Sequence, residues 1–174
     1  MDVIPAYRLL VPALVAQVPE LSREQNADAL DVLSTHLLWW SDQDARVPIM
    51  DRVFAGIAAS EACLLGLEAS ENEAEGGHTR ALLLLTYVDL CIRVGQGQWS
   101  LQYLIEAARR AGSIRDPNER ARVYRKLAYL WGRKLLNPFA AAYFLARCYL
   151  VKGVSADVVS KNDPFKLLRL KANV

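Results

Sequence analysis

Only two histidines and three cysteines occur in the sequence, and no uninterrupted apolar run approaches the ~18 residues that a membrane-crossing helix needs. The longest apolar candidate, ALLLLTYVDLCI at residues 81–92, is short and is broken by Asp89. Cys63, Cys91 and Cys148 are odd in number, far apart and without a C-x-x-C, which points to free thiols in a reducing compartment rather than to a disulfide framework. With so little histidine there is no H-E-x-x-H zinc site. Glu75 and His78 have the Glu-x-x-His spacing of di-iron bundles, but two glycines fill its centre, and His36 has no acid three residues before it. Threonine and isoleucine are sparse beside alanine, leucine and arginine, which favours helix over strand. The first twenty residues carry an acid at position 2 and two prolines in or after their apolar stretch, which does not fit a signal peptide.

Helix start and stop signals divide what is present. Asp116-Pro117-Asn118-Glu119 combines a capping carboxylate, a proline where no N–H is needed and an acid in the first turn. Asn137-Pro138 and Asp163-Pro164 repeat the device, and Ser22 to Gln25 reads as a capping box. These signals predict helices at 5–18, kinked or interrupted near Pro12, then 23–42, 47–68, 79–95, 99–112, 117–136 and 138–152, with a short helix at 164–171. The fold class expected is all-α: about seven helices plus the short C-terminal one, arranged as antiparallel hairpins stacked in a bundle or a short superhelix. Residues 1–160 form one domain in this reading, and 161–174 a basic amphipathic arm.

The helix at 79–95 is apolar almost all round, hence central, with Asp89 and Arg93 placed for a local ion pair. The helix at 47–68 carries Ala55, Gly56, Ala58, Ala59, Ser60 and Ala62, small enough for a close crossing inside the molecule or, as the alternative, a dimer seam. His36 falls on the apolar face of its helix and is expected in the core; of Trp39 and Trp40, about 100° apart, at least one should reach the core margin.

Segments 79–112 and 119–152 align at an offset of 40, pairing Arg80-Ala81 with Arg120-Ala121, Leu90 with Leu130, Trp99 with Phe139 and Tyr103 with Tyr143. In YFLARCYLVKG, Leu145, Ala146, Tyr149 and Gly153 fall where a tetratricopeptide repeat places Leu, a small residue, Tyr and Gly in its first helix. Residues 79–153 therefore resemble tetratricopeptide-like α-hairpin stacks, although the period exceeds that family's 34 and the second-helix alanine pattern after Gly153 is missing. What the resemblance implies is a protein-binding scaffold with a groove between hairpins.

Charge is divided along the chain. Residues 1–76 hold 4 basic and 13 acidic side chains, and residues 77–174 hold 17 basic and 6 acidic. Six of the basic ones lie between Arg120 and Lys134. A helical wheel gathers Arg122, Arg125, Lys126 and Arg133 on one exposed side, with Arg109, Arg110 and Arg115 just ahead of them. This stripe is a partner-binding candidate. Its partner would be another protein, the acidic half of a second copy in a homo-oligomer, or nucleic acid through phosphate contacts. A second candidate surface is the C-terminal arm, with Phe165, Lys166, Leu168 and Arg169. GQGQWS at 95–100 imitates a phosphate loop but follows a helix and lacks the closing Lys-Ser/Thr. With no nucleophile–base pair, acid pair or metal set, the expectation is a non-catalytic, cytoplasmic adaptor, scaffold or chaperone-like protein without a cofactor, binding partners through helix faces. The alternative is a nucleic-acid-associated protein using the stripe on helices 99–136.

Overall fold

A computed structural model describes residues 3–41, 48–74 and 77–154. Among these the chain is all-α, with seven α-helices and no strand. They are α1 (Val3–Arg23), α2 (Ala27–Ser41), α3 (Ile49–Ala69), α4 (Thr79–Arg93), α5 (Leu101–Ser113), α6 (Pro117–Tyr129) and α7 (Pro138–Tyr149). A 3-10 turn, Gly97–Ser100, precedes α5, and a π turn, Leu130–Lys134, continues α6. The segment 164–171 lies outside the described residues.

The Asp116-Pro117 and Asn137-Pro138 signals are realised, while Asp163-Pro164 lies outside the described residues. Asp116 accepts from the backbone N–H groups of Asn118 (2.7 Å) and Glu119 (3.2 Å), and Asn137 accepts from that of Ala140 (3.0 Å). Three other boundaries differ from the sequence reading. First, α1 runs unbroken through Pro12 and Pro19. A proline removes one backbone bond, and the burial of Val11 and Val18 in the core offsets that loss. Second, Ser22 to Gln25 is a stop, not a start. Gln25 takes a left-handed φ of 52°, its N–H reaches Ser22 O and the Asn26 N–H reaches Leu21 O, which closes α1 as a Schellman motif. Asn26 then caps α2 by accepting from Ala29 N–H (3.1 Å). Third, the expected helix 117–136 changes to π geometry at Leu130, and Leu136 ends it at φ 53°.

The core has two parts. One joins α1, α2 and α3 around Val11, Leu30, Leu37, Ala59 and Cys63. The other joins α4 to α7 around Leu84, Leu85, Leu104, Val123 and Leu127. As its all-round apolarity predicts, α4 is central: Leu83 and Leu90 enter the first cluster, while Leu82, Leu84, Leu85 and Val88 enter the second. Next to it, α3 crosses α2 closely on Ala55, Ala58, Ala59, Ala62 and Gly66, all buried. The small-residue face is thus an intramolecular crossing. A Cβ placed on Gly66 would stand 2.9 Å from Leu83 Cδ2 and 3.2 Å from Leu30 Cβ.

Gly66→Val is therefore expected to overpack this crossing and to lower stability by about 2 kcal/mol in chemical denaturation. Asp116→Ala, which strips the α6 cap, should cost about 1 kcal/mol in the same measurement.

Candidate functional site

The basic residues picked from the sequence meet different fates. Arg109, Arg115, Arg122 and Arg133 are exposed. Arg122 rests against Glu119 at 3.4 Å, and Arg125 is half-buried. Arg110 is held at 3.1 Å by Glu106, which also takes Arg80 at 3.2 Å. Burial pushes the Glu106 carboxyl up, but the two guanidiniums outweigh it and hold the group below its usual range. Lys126 corrects the sequence reading: its ammonium turns inward, donating to Thr86 Oγ1 at 2.6 Å and reaching Leu82 O at 3.4 Å. The reason is position. Lys126 lies at the edge of the α6 face that packs on α4, opposite the polar wedge that Thr86 opens there. The arm residues Phe165, Lys166, Leu168 and Arg169 lie outside the described residues.

Lys126 belongs to a polar seam running from α2 through α4 to α6. Asp31 of α2 is buried, and its Oδ1 has no hydrogen-bond partner. Burial pushes its carboxyl above the ordinary aspartate range despite the pull of Lys126, Arg122 and His78. Burial likewise pushes Lys126 below the lysine range, against the pull of Asp31. The two charges act on one another without closing into an ion pair. At the seam's outer end Asp28 accepts from Thr79 Oγ1, and His78 Nε2 stands 3.9 Å from Glu119. Beside it the Cys63 thiol donates to Leu83 O (3.3 Å), and burial pushes its pKa up to about 12, the opposite of an activated nucleophile. Cys91 and Cys148 are also free thiols. Asp89 holds both Arg93 (3.1 Å) and Lys134 (3.5 Å), so the expected Asp89–Arg93 pair is present with a second cation. No group of three His, Cys, Asp or Glu suited to a metal occurs among the described residues.

The surface feature that sequence reasoning missed is on α3. With its small residues turned against α2, its large apolar ones face out: Ile49, Met50, Val53, Phe54, Ile57 and Leu64 are all half-exposed or more, Met50 at 73 %. The same wheel that found the alanines carries this second face, at 0–140° from Ile49, but it reads as ordinary core pattern until one knows which side is covered. The helix α7 also has an apolar outer side. Phe144 and Cys148 pack inward against the second cluster, and a Cβ on Gly132 of the π turn would meet Ala141 Cβ at 3.1 Å. Phe139, Tyr143, Tyr149 and Leu150 face outward, Phe139 at 87 %, with Leu136 just ahead of the helix. Two single residues also differ in place from expectation or match it: His36 is exposed, its Nδ1 2.7 Å from Val32 O, rather than in the core, and Trp39 is half-exposed as the expected margin tryptophan.

No protein-family profile, no curated protein and no solved structure matches the chain.

Asp31 offers a pH test. Its folded-state pKa is raised, so the ionised form destabilises the fold at neutral pH and the penalty disappears as pH falls through that raised value towards 3.8. Asp31→Asn is expected to raise Tm at pH 7, with the gain over the parent shrinking on acidification; Tm measured from pH 7 down to 4 checks this.

Proposed function

We propose that this is a non-catalytic interaction or assembly protein that binds another protein through the outward faces of α3 and α7, working in the cytoplasm without a cofactor. The observation that carries the reading is the α3 face: six large apolar side chains stand in water along one side of a helix whose small residues are buried. Together they put on the order of 600 Å² of apolar surface on one face, the upper end of what a monomer ordinarily exposes in one patch. The likeness of residues 79–153 to tetratricopeptide-like hairpins supports the same reading. No described helix is long and apolar enough to cross a membrane, so a lipid-spanning role does not account for the exposed residues. The nucleic-acid reading loses Lys126 to the interior, and Arg110 is already engaged by Glu106.

A pull-down from native lysate, with and without nuclease, tests this with the parent chain and with Phe54→Asp/Ile57→Asp. Both residues are exposed, so the variant should keep the parent's far-UV spectrum. The parent is expected to retain a protein partner after nuclease, and the variant to lose it. A capture that nuclease abolishes and the variant preserves would transfer the function to the basic residues.

A further inference from the structure

The outward faces of α3 and α7 match one another. On α3 the exposed positions Val53, Ile57, Glu61 and Leu64 follow spacings of four, four and three. On α7 the exposed positions Phe139, Tyr143, Arg147 and Leu150 follow the same spacings. Laid side by side in parallel, Val53 meets Phe139, Ile57 meets Tyr143 and Leu64 meets Leu150. The one acid of the first set, Glu61, then meets the one base of the second, Arg147.

The two helices cannot meet inside one molecule. In the fold α3 touches α1, α2 and α4, whereas α7 touches α6 and the π turn. Among the described residues no element covers the outer side of either helix. Charge separates them as well. The exposed side of α3 carries Glu61 and Glu68, while from Leu130 to Val154 there is no acid, and Arg133, Arg147 and Lys152 are exposed. An α3–α3 pairing sets acid-bearing faces against each other, and an α7–α7 pairing does the same with base; only the mixed pairing is complementary. Joining the two faces buries on the order of 1,200 Å², the lower limit for a specific interface.

We infer that the occupant of the α3 face is the α7 face of a second copy of this chain, in a head-to-tail contact. Such a contact uses two different patches, so it repeats: copies add until a ring closes, or continue as an open filament. The inference rests on the proposed interaction function and names the partner. Arg147 is poised for the role. Its guanidinium lies 5.4 Å from the centre of the Tyr124 ring and donates to Tyr124 Oη at 2.9 Å, which fixes the side chain and leaves further donors for a carboxylate.

The test is the mass of this chain by light scattering or sedimentation, from about 1 to 300 μM, a range that captures weak association. The parent is expected to exceed one chain in mass. Ile57→Asp and Tyr143→Asp should each weaken association on the order of 100-fold and remain single chains. Mixed in equal amounts, the two variants should form a one-to-one pair that grows no further, since each retains the face the other lost. If an aspartate disturbs folding, the charge exchange decides: Glu61→Arg and Arg147→Glu each weaken assembly alone and restore it when combined in one chain. A parent that stays a single chain, a single variant that assembles like the parent, or variants that ignore each other would overturn the inference. A parent that is a single chain yet still retains another protein through Phe54 and Ile57 would sink self-assembly alone and leave the broader function standing.

Discussion

The close approach of α3 to α2 is the constraint from which the surface follows. Two helix backbones come near only where the side chains between them are small, and here Ala55, Ala58, Ala59, Ala62 and Gly66 fill that line. A helix has one circumference. Assigning its small residues to the buried side leaves Ile49, Met50, Val53, Phe54, Ile57 and Leu64 for the other, whatever that costs in water. The exposed apolar face is thus a consequence of how the inner face packs.

The interior departs from apolar packing in one place, the seam from Asp31 to Thr86 and Lys126. A buried carboxylate with an unpartnered oxygen beside an inward lysine opposes folding, because desolvation exceeds the attraction between them. Such a pair does not add stability. It does restrict how α2, α4 and α6 can be arranged, since a shift of any one changes the surroundings of a charge.

Much of the fold was legible in the sequence. Asp116-Pro117 and Asn137-Pro138 start α6 and α7 as their chemistry dictates, and the all-round leucines of 79–93 mark a helix enclosed on every side. What misled was local chemistry that serves two purposes. Ser-x-x-Gln is a start signal only if the chain enters a helix there; at Ser22 the helix was already under way, and Gln25 supplied the left-handed residue that ends it. Lys126 looked exposed because a wheel has no knowledge of Thr86 across the helix interface, forty residues earlier. For the candidate site the composition of α3 was visible, but which of its two non-polar sides faces water depends on α2, and no single-helix pattern contains that information.

The division of the leucines of α4 between two clusters has a consequence for how the molecule comes apart. Leu83 and Leu90 are held by α1–α3, and Leu84, Leu85 and Val88 by α5–α7. Losing either cluster strips one flank of α4 and weakens its hold on the other, so the two halves are expected to melt as one cooperative event. The amides of α4 should then be the slowest to exchange with solvent among the described helices.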